Sequence, residues 1–333
     1  MPSLEFLRLL LVRAGLALGL ALAVIPAPGL APAHAADKLP RIGFLWPGPA
    51  DLYDAFRQGL GELGYVEGRT VLIEARVTGG SVSRLAEQAR DLARLKVDVL
   101  VVGSTQAIHA ARQATATIPI VMALSGDAVS SGLVASLARP GGNVTGLTII
   151  SADLAGKRLE LLREVVPSVT RLAIFWNPTN LSHEPVLREL EAVAQRLGLA
   201  VQRIELNRAE DIERAFEKAA AGRAGALLVL GDFVTLTSRV RIAELAAKHR
   251  LAAMYEVREF VEAGGLMAYG VNLAQLFKRA AVFTDKILKG ARPAELPVEQ
   301  PTRFELIVNV KAARAVGLTF TPDILLRADQ VIE

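Results

Sequence analysis

Two kinds of hydrophobic pattern alternate along the chain. Short apolar runs rich in β-branched residues, such as Val97–Val102, predict buried strands. Between these runs, apolar residues recur every three or four positions, as Leu52, Phe56 and Leu60 do, which predicts amphipathic helices. Strands that alternate with helices form βαβ units with right-handed crossovers, so the pattern predicts an α/β fold with parallel sheets.

The same order of elements occurs twice. The matching strand–turn sequences RIGFLWP at Arg41–Pro47 and RLAIFWNP at Arg171–Pro178 contain the only two tryptophans of the protein. Each is followed by an amphipathic helix that ends at Leu-Gly, at Gly64 in the first copy and at Gly198 in the second. Because each copy restarts with strand, turn and helix, the sequence favours two doubly wound parallel-sheet lobes over the alternative of one large continuous sheet.

The two copies also predict how the chain is divided. Further strands are predicted at Thr70–Val77, Val97–Val102, Ile118–Leu124, Ala200–Leu206, Ala226–Leu230, Leu251–Tyr255 and Phe304–Val308, and helices at Leu85–Leu95, Ala152–Val166 and Asp211–Ala221. Asn272 is predicted to cap one more helix, which ends at Gly290. We expect lobe 1 to comprise residues 38–147 with a return segment at 273–296, and lobe 2 to comprise residues 148–272 with a C-terminal segment at 301–333. A chain that crosses between lobes more than once makes a hinge with a cleft beside it, here near Gly146, Gly270 and Pro297–Pro301.

The composition fits such a protein and excludes several others. The 333 residues suffice for about two domains, and a hydrophobic fraction of 52% excludes disorder for the bulk of the chain. The formal net charge is only +4 and forms no basic stripe, so no nucleic-acid partner is expected. The absence of cysteine excludes disulfides, thiolate metal sites, cysteine nucleophiles and a lipid attached through an N-terminal Cys.

The first 35 residues predict an export signal. A basic start is followed by the uncharged apolar residues 14–25, and Ala33-His34-Ala35 has the small-x-small pattern of a cleavage site before Ala36. We therefore expect a soluble mature protein in the periplasm. An uncleaved membrane anchor remains an alternative, because the apolar run extended toward the N-terminus approaches the ~20 residues that a span needs.

Motifs for catalysis and cofactors are missing or misplaced. Gly59–Gly64 matches the dinucleotide pattern GxGxxG, but it lies late in a predicted helix rather than in the turn after the first strand. The three histidines beyond the signal, His109, His183 and His249, are far apart in sequence and lack a second ligand at metal spacing. We expect no cofactor, no metal and no enzymatic activity.

Polar residues follow the carboxyl ends of the predicted parallel strands, where ligands bind in open α/β sheets. The free N–H groups of a helix start, with the hydroxyls of Ser104 and Thr105, suit a carboxylate. Asp127, Asp232 or Glu256 would face an ammonium group. The candidate ligand-binding residues are Trp46, Pro47, Ser104, Thr105, Gln106, Ser125, Asp127, Asn177, Asn180, Asp232, Tyr255 and Glu256.

Two further interpretations concern the same residues. Trp46, Phe233 or Tyr255 would cover an apolar or ring portion of the ligand. Ser104, Thr105 and Asn177 are also typical helix caps, so a purely capping role remains the alternative for each of them.

The chain resembles a known family in several segments. These are RIGFLWPG at Arg41–Gly48, Gly59–Gly68, DVLVVGST at Asp98–Thr105, SLARPGGNVTGLT at Ser136–Thr148, GGLMAYGVN at Gly264–Asn272 and RADQVIE at Arg327–Glu333. They resemble the ABC-transporter substrate-binding family that includes tryptophan/tyrosine-type binding proteins, over essentially the whole chain after the signal. The resemblance implies a type I periplasmic-binding fold that closes on a small solute, with Ser104, Thr105, Asp127, Asn177, Asp232 and Tyr255 in the cleft.

The resemblance also implies a role and partners. A monomeric protein would close two lobes on a small organic ligand, an amino acid or an aromatic carboxylate, and deliver it to an ABC permease and ATPase complex. A periplasmic ligand sensor of the same fold remains an alternative, as does a periplasmic enzyme that uses the same cleft. A transcription regulator of this architecture would need a helix-turn-helix ahead of Arg41, where this chain has the apolar signal.

Overall fold

The chain forms alternating strands and helices that belong to two sheets. The computed structural model describes residues 38–80 and 83–333, so the predicted export signal lies outside the described residues. The first part contains β1 (Arg41–Trp46), α1 (Asp51–Glu62), β2 (Leu72–Val77), α2 (Leu85–Arg94), β3 (Val99–Gly103), α3 (Thr105–Ala114), β4 (Ile120–Leu124) and β5 (Val144–Gly146).

The second part repeats this order and then returns. It contains α4 (Ser151–Val165), β6 (Arg171–Trp176), α5 (His183–Arg196), β7 (Ala200–Glu205), α6 (Ile212–Ala221), β8 (Ala226–Val229), α7 (Phe233–Thr237), α8 (Arg239–Lys248), β9 (Ala252–Tyr255), α9 (Glu259–Glu262) and β10 (Met267–Gly270). It is followed by α10 (Leu273–Leu288), β11 (Glu305–Asn309), α11 (Val310–Ala315), α12 (Pro322–Arg327) and β12 (Gln330–Ile332). No helix in the described part of the chain is long and apolar enough to cross a bilayer.

The predicted two-lobe α/β fold is confirmed. The first sheet has the order β2-β1-β3-β4-β5, and all of its strands are parallel. The second sheet has the order β12-β11-β10-β9-β8-β6-β7, and its only departure from parallel pairing is the antiparallel pair β10–β11. In each sheet the first strand of the copy, β1 or β6, lies beside the point where strand order reverses, which is where α/β sheets bind ligands.

The predicted strands and helices are found with ends that differ by one or two residues. The pattern did not predict β5, β10 and β12, because strands of three or four residues are too short to show a period. The predicted cap at Asn272 is present, since its side chain accepts a hydrogen bond from the Gln275 N–H at 3.1 Å.

The helix α10 packs on the first sheet although it follows the strands of the second. The ring of Phe277 lies 5.1 Å from that of Trp46 and 6.2 Å from that of Phe44, centroid to centroid. A Cβ at Gly59 in α1 would lie only 2.8 Å from the Lys278 carbonyl oxygen in α10. The first glycine of the GxGxxG match therefore allows close packing of two helices and holds no nucleotide.

The chain passes between the two sheets beside β5, before α10 and before β11. The first and third passages are joined, because the Glu299 N–H donates to the Gly146 carbonyl at 2.9 Å and the Thr148 N–H donates to the Glu299 carbonyl at 3.0 Å. The passages thus lie side by side at one edge of a cleft between the sheets.

Candidate ligand site between the lobes

A narrow cavity of about 60 Å³ lies between the two sheets at the carboxyl ends of their strands. Its lining comes from both lobes: Trp46, Ser104, Thr105, Leu124, Gly126, Ile149, Ser151, Asn180, Ser182, Gly231, Asp232, Phe233, Leu236, Glu256, Val257, Phe260 and Leu273.

On the lobe 1 side, the cavity wall includes the start of α3. The Ser104 side chain caps this helix by accepting from the Ala107 N–H at 3.2 Å, and its backbone has a φ of +80°. Thr105 Oγ1 accepts from the Gly126 N–H at 3.3 Å. Both hydroxyls keep a hydrogen to donate, and the first N–H groups of a helix have no intrahelical acceptors, so this edge attracts an anion.

On the lobe 2 side, Asp232 is surrounded by donors. One carboxylate oxygen accepts from the Val234 N–H at 3.0 Å and from Asn177 Nδ2 at 3.1 Å. The other accepts from Asn180 Nδ2 at 3.0 Å and, across the cleft, from Gln106 Nε2 at 2.7 Å. Asp232 therefore organises the polar floor of lobe 2 and connects it to lobe 1.

A second lobe 2 carboxylate, Glu256, is held by a buried ion pair. Its Oε1 lies 2.6 Å from Arg158 Nη1, and its Oε2 accepts from the Gly231 N–H at 3.0 Å. The Arg158 side chain is 2% exposed. Burial lowers the pKa of Arg158, and the charge of Glu256 opposes that shift.

Aromatic and aliphatic side chains complete the wall. Trp46 is 1% exposed, and its Nε1 donates to the Pro49 carbonyl at 2.7 Å, so the polar end of the indole is already bonded. Phe233 opens α7 and Phe260 lies in α9. These rings give the cavity an apolar part that contrasts with its polar edges.

The structure brings together most of the residues predicted from sequence. The cavity is lined by Trp46, Ser104, Thr105, Asn180, Asp232 and Glu256. Gln106 and Asn177 contact it indirectly, through their hydrogen bonds to Asp232. Ser125 lies in the loop after β4, with its hydroxyl buried and without a partner.

Three predicted residues are placed away from the cavity wall. The Asp127 carboxylate accepts from the N–H groups of Val129 and Ser130, both at 3.0 Å, and so stabilises its own turn. Pro47 contributes its carbonyl to the Gly80 N–H. Tyr255 is fully buried with its ring stacked 4.5 Å from that of Phe260, because neighbouring residues at the end of β9 point to opposite sides and Glu256 takes the cavity side.

Several cavity residues were missed by the sequence analysis. Ser182 and Ser151 come before or at helix starts, where serine usually signals capping, and Leu273 and Phe260 read as ordinary core positions. Arg158, the partner of Glu256 behind the cavity wall, was also not predicted. It is a buried residue of helix α4, and its position on the apolar face of that helix is the one feature of the sequence that could have revealed it.

Comparison with known proteins identifies the family. The profile of the family described as ABC transporter substrate binding protein matches residues 46–332. The chain belongs to this family. Its members are binding proteins for ABC transport systems, which agrees with a cavity between two lobes.

Three similar proteins carry this comparison further. A tyrosine-binding protein of Clostridioides difficile (strain R20291) is 24% identical over 264 residues, 79% of this chain and 75% of that protein. A solved structure of a conserved domain protein from Vibrio cholerae has a TM-score of 0.83 and 26% identity, covering 88% of this chain and 100% of that one. An ABC domain from Streptococcus pneumoniae in complex with L-Trp has a TM-score of 0.81 and 26% identity, covering 89% and 100%.

Proposed function

We propose that this protein is the solute-binding component of an ABC import system and that its ligand is an aromatic amino acid. One observation carries the proposal: the cavity combines an anion-attracting helix start on lobe 1, carboxylates on lobe 2 and aromatic walls between them. The similar proteins that bind tyrosine or hold L-Trp support the same ligand class.

The ligand lies across the cleft in this proposal. Its carboxylate accepts hydrogen bonds at the start of α3, beside Ser104 and Thr105. Its ammonium faces the carboxylates of lobe 2, and its ring packs against Trp46 and Phe233. A molecule bound by both lobes stabilises the closed arrangement, because only that arrangement makes both sets of contacts.

Delivery and location complete the proposal. The mature protein acts in the periplasm, as a monomer, and presents its closed form to a membrane permease with its ATPase. Intact-mass measurement of periplasmic protein should give a chain that begins near Ala36 without a lipid. A species that retains the first 35 residues would contradict the export part of the proposal and leave the ligand class untouched.

The ligand class is tested by calorimetry on the mature chain. L-Trp, L-Tyr and L-Phe are titrated beside L-Leu, a neutral sugar and a nucleoside, and we expect an aromatic amino acid to bind most tightly. Thr105→Val keeps the shape of the side chain but removes the hydroxyl, and it should weaken binding about ten-fold, as expected for the loss of a hydrogen bond to a charged group. Binding of the sugar or the nucleoside alone would refute the amino-acid proposal.

A further inference from the structure

The two carboxylates of the cavity differ in how many hydrogen bonds they already make. An ionised carboxylate has about four lone-pair positions. Asp232 accepts four hydrogen bonds from within the chain, two on each oxygen. Glu256 accepts one on each oxygen, from Arg158 and from the Gly231 N–H. Glu256 therefore keeps acceptor capacity, whereas Asp232 would have to break an existing bond to receive a ligand.

The charges at this site favour a ligand with a cationic group. The charged side chains that line the cavity are Asp232 and Glu256, and both are negative. The buried guanidinium of Arg158 balances one of them. A ligand that brings a cationic group to lobe 2 supplies the missing positive charge.

We propose that Glu256 is the specificity-determining residue that accepts the ligand's ammonium, and that Arg158 is a positioning residue which aims the Glu256 carboxylate into the cavity. The inference rests on the proposed function and goes beyond it by assigning the ammonium to one of two carboxylates. If Glu256 accepts the ammonium, the protein binds amino acids more tightly than the corresponding carboxylic acids that lack an amino group.

Arg158 is built to hold Glu256 in place. Its Nε donates to the Tyr269 carbonyl at 2.9 Å and its Nη1 to the Ser151 carbonyl at 3.3 Å, so the guanidinium is fixed from β10 and from the start of α4. Both segments adjoin a passage between the lobes. The ion pair thus links the ammonium acceptor to the part of lobe 2 nearest the hinge.

The experiment compares two probes that differ only by the amino group, L-tryptophan and indole-3-propionate. Calorimetry on the wild-type mature protein should show L-tryptophan binding about 100-fold more tightly. Glu256→Gln should weaken L-tryptophan binding about 10- to 100-fold and change indole-3-propionate binding less than about three-fold. The matched variant Asp232→Asn, which disturbs the contact to Gln106, should weaken both probes by similar factors.

Positioning by Arg158 is tested with the same probes. Arg158→Met should lower the ratio between the two affinities, and Arg158→Lys should restore part of it, since a lysine keeps the charge but loses the planar fork. If Glu256→Gln leaves no folded protein, Glu256→Asp replaces it. The shorter acid withdraws the carboxylate from the cavity and should also lower the ratio.

The outcomes separate the two proposals. A preference for L-tryptophan over indole-3-propionate that persists in Glu256→Gln and disappears in Asp232→Asn would assign the ammonium to Asp232. That result would overturn the inference, and it would leave the proposed function in place. Equal binding of both probes by wild-type protein would overturn it as well. Failure of L-Trp, L-Tyr and L-Phe to bind the wild-type protein would overturn the proposed function, and the inference with it.

Discussion

Ser104 is at once a helix cap and a cavity residue, in a backbone conformation that few side chains adopt. Its φ of +80° lies in the region that favours glycine, yet its hydroxyl caps α3 and it lines the ligand cavity. The strain of such a position is maintained only where the surrounding structure or the function requires the side chain. Two substitutions at this position separate the capping role from the binding role.

Ser104→Ala should lower the free energy of unfolding by about 1 kcal/mol, because it removes the hydroxyl that caps α3. Ser104→Gly should cost only a few tenths of a kcal/mol, since glycine accepts this φ and is a fair cap. Both variants should lose the same factor in ligand affinity if the hydroxyl contacts the ligand. Urea unfolding and calorimetry measure the two effects, and unchanged affinity in both variants would leave Ser104 as a cap alone.

Glu259 is a buried carboxyl near the lobe interface. Burial raises its pKa from 4.5 to about 7, with further raising by the charges of Glu262 and Asp51, against lowering by its own backbone N–H and by Arg258. Its Oε2 is buried without a hydrogen-bond partner. The folded protein therefore holds a proton on Glu259 at pH values where the unfolded chain has released it.

Stability should consequently fall as pH rises between about 4.5 and 7, because there the native state binds the extra proton. Glu259→Gln removes this dependence and should stabilise the protein at pH 8 by roughly 2–3 kcal/mol relative to wild type. Urea unfolding at several pH values between 5 and 8 measures this dependence, with Glu217→Gln, an exposed glutamate of α6, as the control. Parallel pH curves for wild type and Glu259→Gln would contradict the assignment.

At the scale of elements, α10 packs against α1 of lobe 1, although it follows β10 of lobe 2 in the chain. Two glycines in α1 have opposite surroundings. A Cβ at Gly59 would lie 2.8 Å from the Lys278 carbonyl oxygen and 3.0 Å from the Ala281 Cβ, whereas a Cβ at Gly61 would meet nothing within 4 Å. The helices approach each other closely only at the first of these positions.

Gly59→Ala should therefore destabilise the protein by about 1–3 kcal/mol, because α10 must move away. Gly61→Ala, two residues along the same helix, should stabilise it by roughly 0.5–1 kcal/mol through helix propensity. Thermal or urea unfolding of both variants checks the difference. Equal effects would show that the two helices do not pack as closely as described.

At the scale of the whole molecule, the lobes touch directly beside the cavity. Gln106 of lobe 1 donates to Asp232 of lobe 2 at 2.7 Å, and Asp51 lies 3.7 Å from Arg239 across the same cleft. A Cβ at Gly126 would lie 2.2 Å from the Ser182 hydroxyl oxygen. Such contacts exist only when the lobes are closed.

Gly126→Val should keep the lobes from closing fully, because its side chain would occupy the place of Ser182. Small-angle scattering should show wild-type protein contracting when the identified amino acid is added, and this variant contracting less, with affinity lowered more than about ten-fold. Gly142→Ala, whose Cβ would meet nothing within 4 Å, serves as the control. A wild-type radius of gyration that stays constant at saturation would contradict closure by the ligand.

The order of the elements and the fold class could be predicted from the sequence, because hydrophobic periods and helix caps are local signals. The repeated strand–turn–helix around Trp46 and Trp176 predicted two parallel-sheet lobes, and Asn272 predicted the start of α10. The sequence also predicted that the cavity lies at the carboxyl ends of the strands, since parallel strands all end on the same side of a sheet.

Pairings between distant side chains were decided only by the tertiary structure. Gln106 meets Asp232, and Arg158 meets Glu256, across sequence separations of 126 and 98 residues that carry no periodic signal. Tyr255 and Glu256 are neighbours, and the sequence predicts both as ligand-binding residues. The pairing of β9 within the sheet decided that Glu256 faces the cavity and Tyr255 does not. Local patterns specify which residues reach the edge of a sheet, whereas the packing of two sheets determines which of them share a charge or a hydrogen bond.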